Sequence, residues 1–248
     1  MAAWLEYQTR VKKVHKPKPA RPAQLPRAIL FDCDGTLLLT SDLHFNAISR
    51  AVTLQGADMP RDWYMALTGL GRYDLFAAFA RDFGIGLDLS RAIEDSVSAT
   101  IAMAAAAREN PPVAALARRV SGRLPTAVVT NSETAVSSAL LREARLLPLF
   151  DALIACENAL HPKPAPDLYL AAAARLGVSA EHCLVFEDSH QGILAAEAAA
   201  MRCIDVRDPE WPKRFTDVED GLLNRPLGSE REGRQGDLAA VGTVRPAR

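Results

Sequence analysis

Short apolar runs that end in acidic or hydroxyl side chains recur three times along the chain, at residues 28–32, 127–130 and 183–188. A continuous apolar run of this length, bounded by polar residues, is typical of a strand that is buried on both faces. We therefore predict three buried strands with polar carboxyl ends. Two weaker runs, at 153–155 and 203–206, predict two further strands.

Helical spacing of apolar residues separates these runs. It is clearest over 112–120, 133–146, 165–177 and 190–200. Strands that alternate with helices predict an α/β fold with a parallel sheet. Ligands bind beyond the carboxyl ends of the strands in such sheets, so the polar ends of the predicted strands should gather at a binding site.

The segment 42–108 departs from this alternation because it carries several helix-length apolar patterns and no convincing strand. We predict an all-helical insertion, a small domain able to close over the strand ends. We predict a basic, Pro-rich disordered tail at 1–26 and a loosely ordered second tail at 225–248. The core comprises two pieces, 27–41 and 109–224, and the helical cap at 42–108 lies between them.

Composition narrows the class of protein. The 248 residues are 49% hydrophobic and 24% charged, as expected for a globular domain, and the net charge of −1 argues against a dedicated nucleic-acid binder. Residues 1–27 are basic, and we interpret them as a solvated linker, with contact to RNA or an acidic membrane surface as the alternative. No run is long and apolar enough to predict a membrane span or a signal peptide. Four cysteines without CxxC spacing favour a reducing cytoplasm.

Three carboxylates are predicted to meet at the strand ends. Asp32 and Asp34 follow the first strand, Gly35 permits the tight turn after them, and Asp188 ends another strand. A single strand-end aspartate is equally compatible with a helix cap or a turn. Three of them on parallel strands predict instead a site for a hard cation with oxygen ligands, which suits Mg²⁺.

A polar segment after the second predicted strand could face the same pocket. Thr130 and Asn131 follow the second predicted strand and precede a helix, an arrangement suited to phosphate oxygens, whereas Ser132 could simply be the N-cap of that helix.

Lys163 is the only lysine between Lys18 and Lys213, although arginine is abundant there. A compact ammonium can neutralise a carboxylate and a phosphoryl group together where a planar guanidinium would not fit. The alternative is the chance survival of a surface lysine.

Four segments together resemble the motifs of the haloacid-dehalogenase-like (HAD) hydrolase superfamily, in order and at suitable spacing, over about residues 27–207. They are 31–36, 129–131, 161–167 and 186–192. Within the superfamily, the chain is most similar to the β-phosphoglucomutase-like subfamily of phosphosugar phosphatases and mutases. The resemblance implies a Rossmann-like core with a helical cap.

The resemblance also implies roles for the carboxylates. Asp32 would be the nucleophile that forms an aspartyl-phosphate, and Asp34 the acid that protonates the leaving oxygen and then activates water. Asp32, the backbone carbonyl of Asp34 and Asp188 would hold Mg²⁺, with Glu187 as an additional ligand or as a residue behind the ligands.

Thr130, Asn131 and Lys163 would hold the transferring phosphoryl oxygens. His44 matches a histidine of the subfamily near the cap hinge, with an ordinary helix-face histidine as the alternative. Arg72 matches a cap residue that binds the non-reacting phosphate in the mutases, with a solvated surface arginine as the alternative.

The chain departs from the subfamily at three positions: Leu39 stands in place of an acid, Thr68 in place of a lysine of the mutases, and Ala200 in place of a common glycine. These departures weaken the mutase interpretation. We expect an Mg²⁺-dependent phosphatase acting on a small phosphorylated metabolite such as a sugar phosphate. A phosphomutase of the β-phosphoglucomutase type is the alternative, and a non-catalytic phosphate-binding protein is a remote one.

Overall fold

A computed structural model of the chain describes residues 25–213 and 215–216. Most of the predicted N-terminal tail and all of the predicted C-terminal tail lie outside the described residues. The strands are β1 (Ala28–Phe31), β2 (Leu38–Leu39), β3 (Arg108–Glu109), β4 (Thr126–Val129), β5 (Ala152–Ile154), β6 (Cys183–Glu187) and β7 (Arg202–Asp205). The helices are α1 (Ser41–Thr53), α2 (Arg61–Met65), α3 (Arg72–Phe83), α4 (Leu89–Ala102), α5 (Pro111–Val120), α6 (Thr134–Glu143), α7 (Asp167–Leu176) and α8 (His190–Ala198).

Five of the strands form one parallel sheet in the order β5-β4-β1-β6-β7. Successive side chains of a strand point to opposite faces. In β1, Ile29 and Phe31 pack with the buried residues of α5 and α6, while Ala28 and Leu30 pack with those of α7 and α8. Both faces of the sheet are therefore covered by helices, and the predicted parallel α/β, Rossmann-like fold is confirmed.

The chain between β2 and β3 folds into α1 to α4 and has an apolar cluster of its own, which includes Ile48, Tyr64, Phe76 and Phe79. The predicted helical insertion is confirmed at the level of the fold, and we keep its domain boundaries as a prediction. Among the described residues, no helix has the length and apolar character that a membrane crossing requires.

The strands β2 and β3 form an antiparallel pair, with Leu38 opposite Glu109 and Leu39 opposite Arg108. The pair ties the chain entering the helical segment to the chain leaving it. The sequence analysis did not predict these strands, because two residues are too few to show the alternation that identifies a strand.

Two predicted helices end two or more residues earlier in the structure than in the sequence pattern. α6 ends at Glu143 rather than at 146, since Arg145 adopts a left-handed φ of 55° that cannot continue a helix. Likewise, α8 ends at Ala198, two residues before Ala200, which has a φ of 59°. In both cases an apolar pattern continues past the point where the backbone turns away.

Candidate active site

The polar carboxyl ends of the central strands line one cavity of about 270 Å³. Asp32 follows β1, Thr130 follows β4, and Asp188 follows β6. The opposite wall comes from α2, the segment after it and the start of α3, with Tyr64 and Arg72 among its side chains. The cavity thus lies where the sequence predicted a site, between the sheet and the helical insertion.

Lys163 is the electrostatic centre of this cavity and is only 3% exposed. Its Nζ donates to Asp32 Oδ1 at 2.7 Å, to Glu187 Oε1 at 2.7 Å and to the carbonyl oxygen of Val129 at 2.8 Å. Burial acts to lower the pKa of Lys163, but the negative charges of Asp32 and Glu187 outweigh it and raise that pKa. The ammonium therefore stays charged, and the alternative of an incidental surface lysine is wrong.

Glu187 is fully buried, and both of its carboxylate oxygens are occupied by donors. Besides Lys163, Oε1 accepts from the Tyr169 hydroxyl at 3.0 Å, and Oε2 accepts from Ser189 Oγ at 2.9 Å and from two backbone N–H groups. Gly192 makes this approach possible, since a Cβ there would overlap the carboxylate. With its oxygens saturated, Glu187 is better suited to stand behind the ligands, where it holds Lys163, than to bind a metal.

Asp32, Glu187 and Asp188 each offer an oxygen within 4.8 Å of the others. Burial and the charge of Glu187 raise the pKa of Asp32 well above its ordinary value, and raise that of Asp188 to about 7. One ammonium does not balance three carboxylates, of which Asp32 and Glu187 are buried and Asp188 is half-buried. Among the described residues, Asp32 and Asp188 each keep an oxygen without a hydrogen-bond donor. A hard divalent cation with oxygen ligands fits this donor set.

Asp188 is brought to this position by the turn after β1. Gly35 has a φ of 95°, and a Cβ there would overlap the Asp188 carboxylate. Thr36 Oγ1 donates to Asp188 Oδ1 at 3.1 Å. The turn therefore needs a glycine both for its backbone conformation and for the space that the carboxylate fills.

Asp34 is surrounded by donors. Its Oδ1 contacts Thr40 Oγ1 at 2.8 Å and His44 Nε2 at 2.7 Å, and its Oδ2 contacts Ser132 Oγ at 2.8 Å and Thr130 Oγ1 at 3.4 Å. Burial opposes ionisation, but the interactions with His44, Ser132 and Thr40 outweigh it and hold the pKa of Asp34 well below its usual range. In this arrangement Asp34 is an ionised carboxylate.

Ser132, which the sequence left open as the N-cap of the following helix, contacts Asp34 in the structure. The N-cap residue of α6 is Glu133, and the Ser132 hydroxyl donates to Asp34 Oδ2 at 2.8 Å. The N-terminus of α6 is served by Glu157, which accepts from the backbone N–H of Thr134 at 3.0 Å. A serine just before a helix carries no sequence signal that separates these two roles.

Asn131 joins two loops to each other. Its Oδ1 accepts from the backbone N–H of Lys163 at 2.8 Å, while its Nδ2 donates to the carbonyl oxygens of Lys163 at 3.2 Å and of Gly69 at 3.0 Å. Its side-chain amide is thus committed to backbone groups. Any contact that Asn131 makes with a phosphoryl oxygen therefore falls to its backbone N–H.

His44 and Arg72 are both buried, so the alternative of a solvated surface arginine is wrong. Arg72 Nη2 donates to Thr100 Oγ1 at 3.0 Å and lies 3.4 Å from His44 Nδ1. A guanidinium only donates, so a hydrogen bond between Arg72 and His44 would have Nδ1 as the acceptor and would leave Nε2 as the donor to Asp34. Arg72 Nε lies 3.2 Å from Glu133 Oε2, in an ion pair that is poorly aligned as a hydrogen bond.

Comparison with known proteins agrees with this geometry. Residues 26–200 match the haloacid dehalogenase-like hydrolase family. The chain is 35% identical over 179 residues to the fructose-1-phosphate phosphatase YqaB of Escherichia coli, and the match covers 72% of this chain and 95% of YqaB. It is 31% identical over 235 residues to the protein CbbY of Rhodobacter capsulatus, and that match covers 88% of this chain and 96% of CbbY. A crystal structure of a CbbY mutant from Rhodobacter sphaeroides in complex with xylulose-(1,5)bisphosphate superimposes with a TM-score of 0.67 at 28% identity, covering 73% of this chain and 85% of that one.

The chain belongs to the haloacid dehalogenase-like hydrolase family, as its motifs predicted. It is a hydrolase. Its candidate active site is the acidic cavity at the strand ends, between the sheet and the inserted helices.

Proposed function

We propose that the protein is an Mg²⁺-dependent phosphatase that hydrolyses a sugar phosphate through an aspartyl-phosphate on Asp32. The observation that carries this proposal is the buried Lys163 ammonium, which bridges Asp32 and Glu187 at the carboxyl ends of the strands. That arrangement holds the Asp32 carboxylate just after β1, from where it can attack phosphorus in line. Such a reaction depends mainly on positioning and on neutralising charge.

The proposed metal site comprises Asp32, Asp188 and the backbone carbonyl of Asp34. A bound Mg²⁺ supplies charge neutralisation for the phosphoryl oxygens. Lys163, the Thr130 hydroxyl and the backbone N–H groups that follow β4 would orient those same oxygens. Glu187 acts through Lys163, which it holds from behind.

Asp34 is proposed as the acid and base of the reaction. It protonates the oxygen that leaves with the sugar, and it then takes the proton of the water that attacks the aspartyl-phosphate. Donation requires the carboxyl to separate from His44 and Ser132, because those donors stabilise its anion. The observed arrangement suits the second half of the reaction, in which Asp34 accepts a proton.

The substrate class follows from the relatives and from the cavity wall. YqaB is a fructose-1-phosphate phosphatase by name. The wall opposite the carboxylates presents Tyr64, Leu67 and Thr68, a mixture of apolar and hydroxyl side chains suited to the rim of a small sugar. We propose that the helical segment 42–108 acts as the cap that covers this substrate, and we keep the cytoplasm as the expected location.

A phosphate-release screen over a panel of phosphosugars tests the proposal. We expect turnover with Mg²⁺, loss of turnover in EDTA and recovery when Mg²⁺ is returned. Asp32→Asn should abolish release while the fold is kept, because an amide is a poor nucleophile. Release by Asp32→Asn at a rate near that of the native protein, or full activity after exhaustive chelation, would rule the mechanism out.

A further inference from the structure

We infer that this enzyme discriminates against sugar bisphosphates, and that the Arg72–Glu133 ion pair is the device that does so. The inference rests on the proposed function and adds to it the number of phosphates that the substrate carries. Its basis is the pairing of the cations around the cavity. Their placement determines whether a second, non-reacting phosphate finds an unpaired positive charge.

Among the described residues, three lysine and arginine side chains line the cavity, and each is already paired with a carboxylate. Lys163 holds Asp32 and Glu187. Arg207 forms two hydrogen bonds with Asp205, at 2.8 and 2.6 Å. Arg72 is the cation on the wall of the inserted helices, and its partner is Glu133.

The charge of Arg72 lies against a carboxylate of the protein, although its Nε makes no aligned hydrogen bond. Its side chain is 6% exposed, and its donors face Glu133, Thr100 and His44. Glu133 belongs to the loop before α6, on the core side of the cavity, and its side chain is 19% exposed. Because burial strengthens the attraction between opposite charges, this carboxylate offsets the positive charge that Arg72 would otherwise present to the cavity.

A second phosphate would therefore meet no unpaired lysine or arginine side chain among the described residues of the cavity. It would lose its hydration against Tyr64, Leu67 and Leu70, without a free cation to replace the lost water contacts. Thr68 offers little compensation, since its hydroxyl donates to the carbonyl oxygen of Met65. The uncharged hydroxyl groups of a monophosphorylated sugar carry no such desolvation cost. Specificity of this kind comes from weaker binding of the bisphosphate, whose second phosphate the site does not accommodate, rather than from added contacts to the monophosphate.

The test compares two sugars that share one scissile phosphate, fructose 1-phosphate and fructose 1,6-bisphosphate, by kcat/KM under identical salt. We expect the native protein to favour the monophosphate by about tenfold or more, the effect of one unpaired close charge. Glu133→Gln frees the charge of Arg72 while keeping the side-chain shape, and it should reduce this preference by about fivefold.

Glu157→Gln is the matched control. It removes a carboxylate beside the same helix start, where Glu157 bonds Thr134 rather than Arg72. We expect this control to leave the preference where it is in the native protein. Titration calorimetry of Asp32→Asn with each sugar measures the same discrimination as binding, without turnover.

The outcomes separate the two claims. If phosphate is released neither from these two sugars nor from any other member of the panel, the proposed function itself is wrong. Release from both sugars with equal kcat/KM, or with a preference for the bisphosphate, would overturn the inference and leave the phosphatase standing. An equal shift in Glu133→Gln and Glu157→Gln would also overturn it, because the pair would then have no special role. If Glu133→Gln does not fold, the ratio measured on the native protein decides.

Discussion

At the scale of single residues, Lys163 is the side chain whose chemistry is least replaceable. Three acceptors surround one ammonium within 2.8 Å, two of them carboxylates on different strands. An ammonium directs its three hydrogens to such a set, whereas a guanidinium is planar and needs more room. The compositional isolation of this lysine indicated its importance, but the sequence did not show that Glu187 and Tyr169 would hold it in place.

We expect Lys163→Arg to lower kcat with p-nitrophenyl phosphate by about 100-fold or more, although the charge is kept, because the planar group displaces the contact to Asp32. The measurement is steady-state phosphate release at saturating Mg²⁺. Lys213→Arg is the control, since Lys213 is exposed and pairs only with Glu210 in the described part of the chain. A loss below about threefold for Lys163→Arg would contradict the assignment.

The carboxylate cluster makes a second prediction, on stability. Half-buried Asp188 lies beside the buried Asp32 and Glu187, and the charges of the three carboxylates repel one another. In EDTA, Asp188→Asn should melt about 2–4 °C above the native protein, which corresponds to about 1 kcal/mol for a chain of this size. Addition of Mg²⁺ should stabilise the native protein and leave Asp188→Asn nearly unchanged. Thermal melts followed by circular dichroism decide this, and a lower melting temperature for Asp188→Asn in EDTA would contradict it.

At the scale of elements, patterns longer than a few residues were predictable and single turns were not. The apolar runs at 28–32, 127–130 and 183–188 correspond to β1, β4 and β6, because a strand buried on both faces must be apolar throughout. The convergence of Asp32, Thr130 and Asp188 followed from parallel topology alone. Contacts that depend on side-chain direction, such as Ser132 with Asp34, leave no pattern in the chain.

The end of α8 gives a prediction at this scale. Ala200 has a φ of 59°, a conformation that costs an L-residue about 1–2 kcal/mol, and it stands where the subfamily commonly has glycine. Ala200→Gly should raise the free energy of unfolding by about 0.5–1 kcal/mol, after subtraction of the greater chain entropy of glycine. Urea titration measures it, with Ala199→Gly as a control expected to destabilise, since Ala199 has a φ of −77° and is buried. An unchanged midpoint for Ala200→Gly would refute the argument.

At the scale of the whole molecule, polar contacts between described residues cross the cavity from the core to the inserted helices at two places. One chain of side chains runs from Asp34 through His44 and Arg72 to Glu133. The other contact is Asn131 with the carbonyl oxygen of Gly69. Both connect the loop after β4 to the helical insertion, so a movement of the insertion would alter the surroundings of Asp34. We therefore expect the position of the helical insertion to affect the protonation of Asp34, the proposed acid.

The same wall bears on whether the proposed aspartyl-phosphate is hydrolysed by water or transfers its phosphoryl group back to a sugar. A mutase must hold a second phosphate while the first is transferred, and it must keep water from the intermediate until the other hydroxyl arrives. In this chain Arg72 is committed to Glu133, and Thr68 stands where the mutases have a lysine. A phosphorylated product would therefore dissociate before it could rebind with its other hydroxyl toward Asp32. Water would then attack the phosphoryl group instead.

We accordingly expect net release of inorganic phosphate when β-glucose 1-phosphate is incubated with the enzyme, Mg²⁺ and a trace of the bisphosphate. Phosphorus-31 NMR distinguishes the products directly, because inorganic phosphate and glucose 6-phosphate give separate signals. Asp32→Asn serves as the control for transfer that does not pass through the nucleophile. Conversion to glucose 6-phosphate without free phosphate would make the protein a mutase, and the paired Arg72 would then have to open to bind the second phosphate.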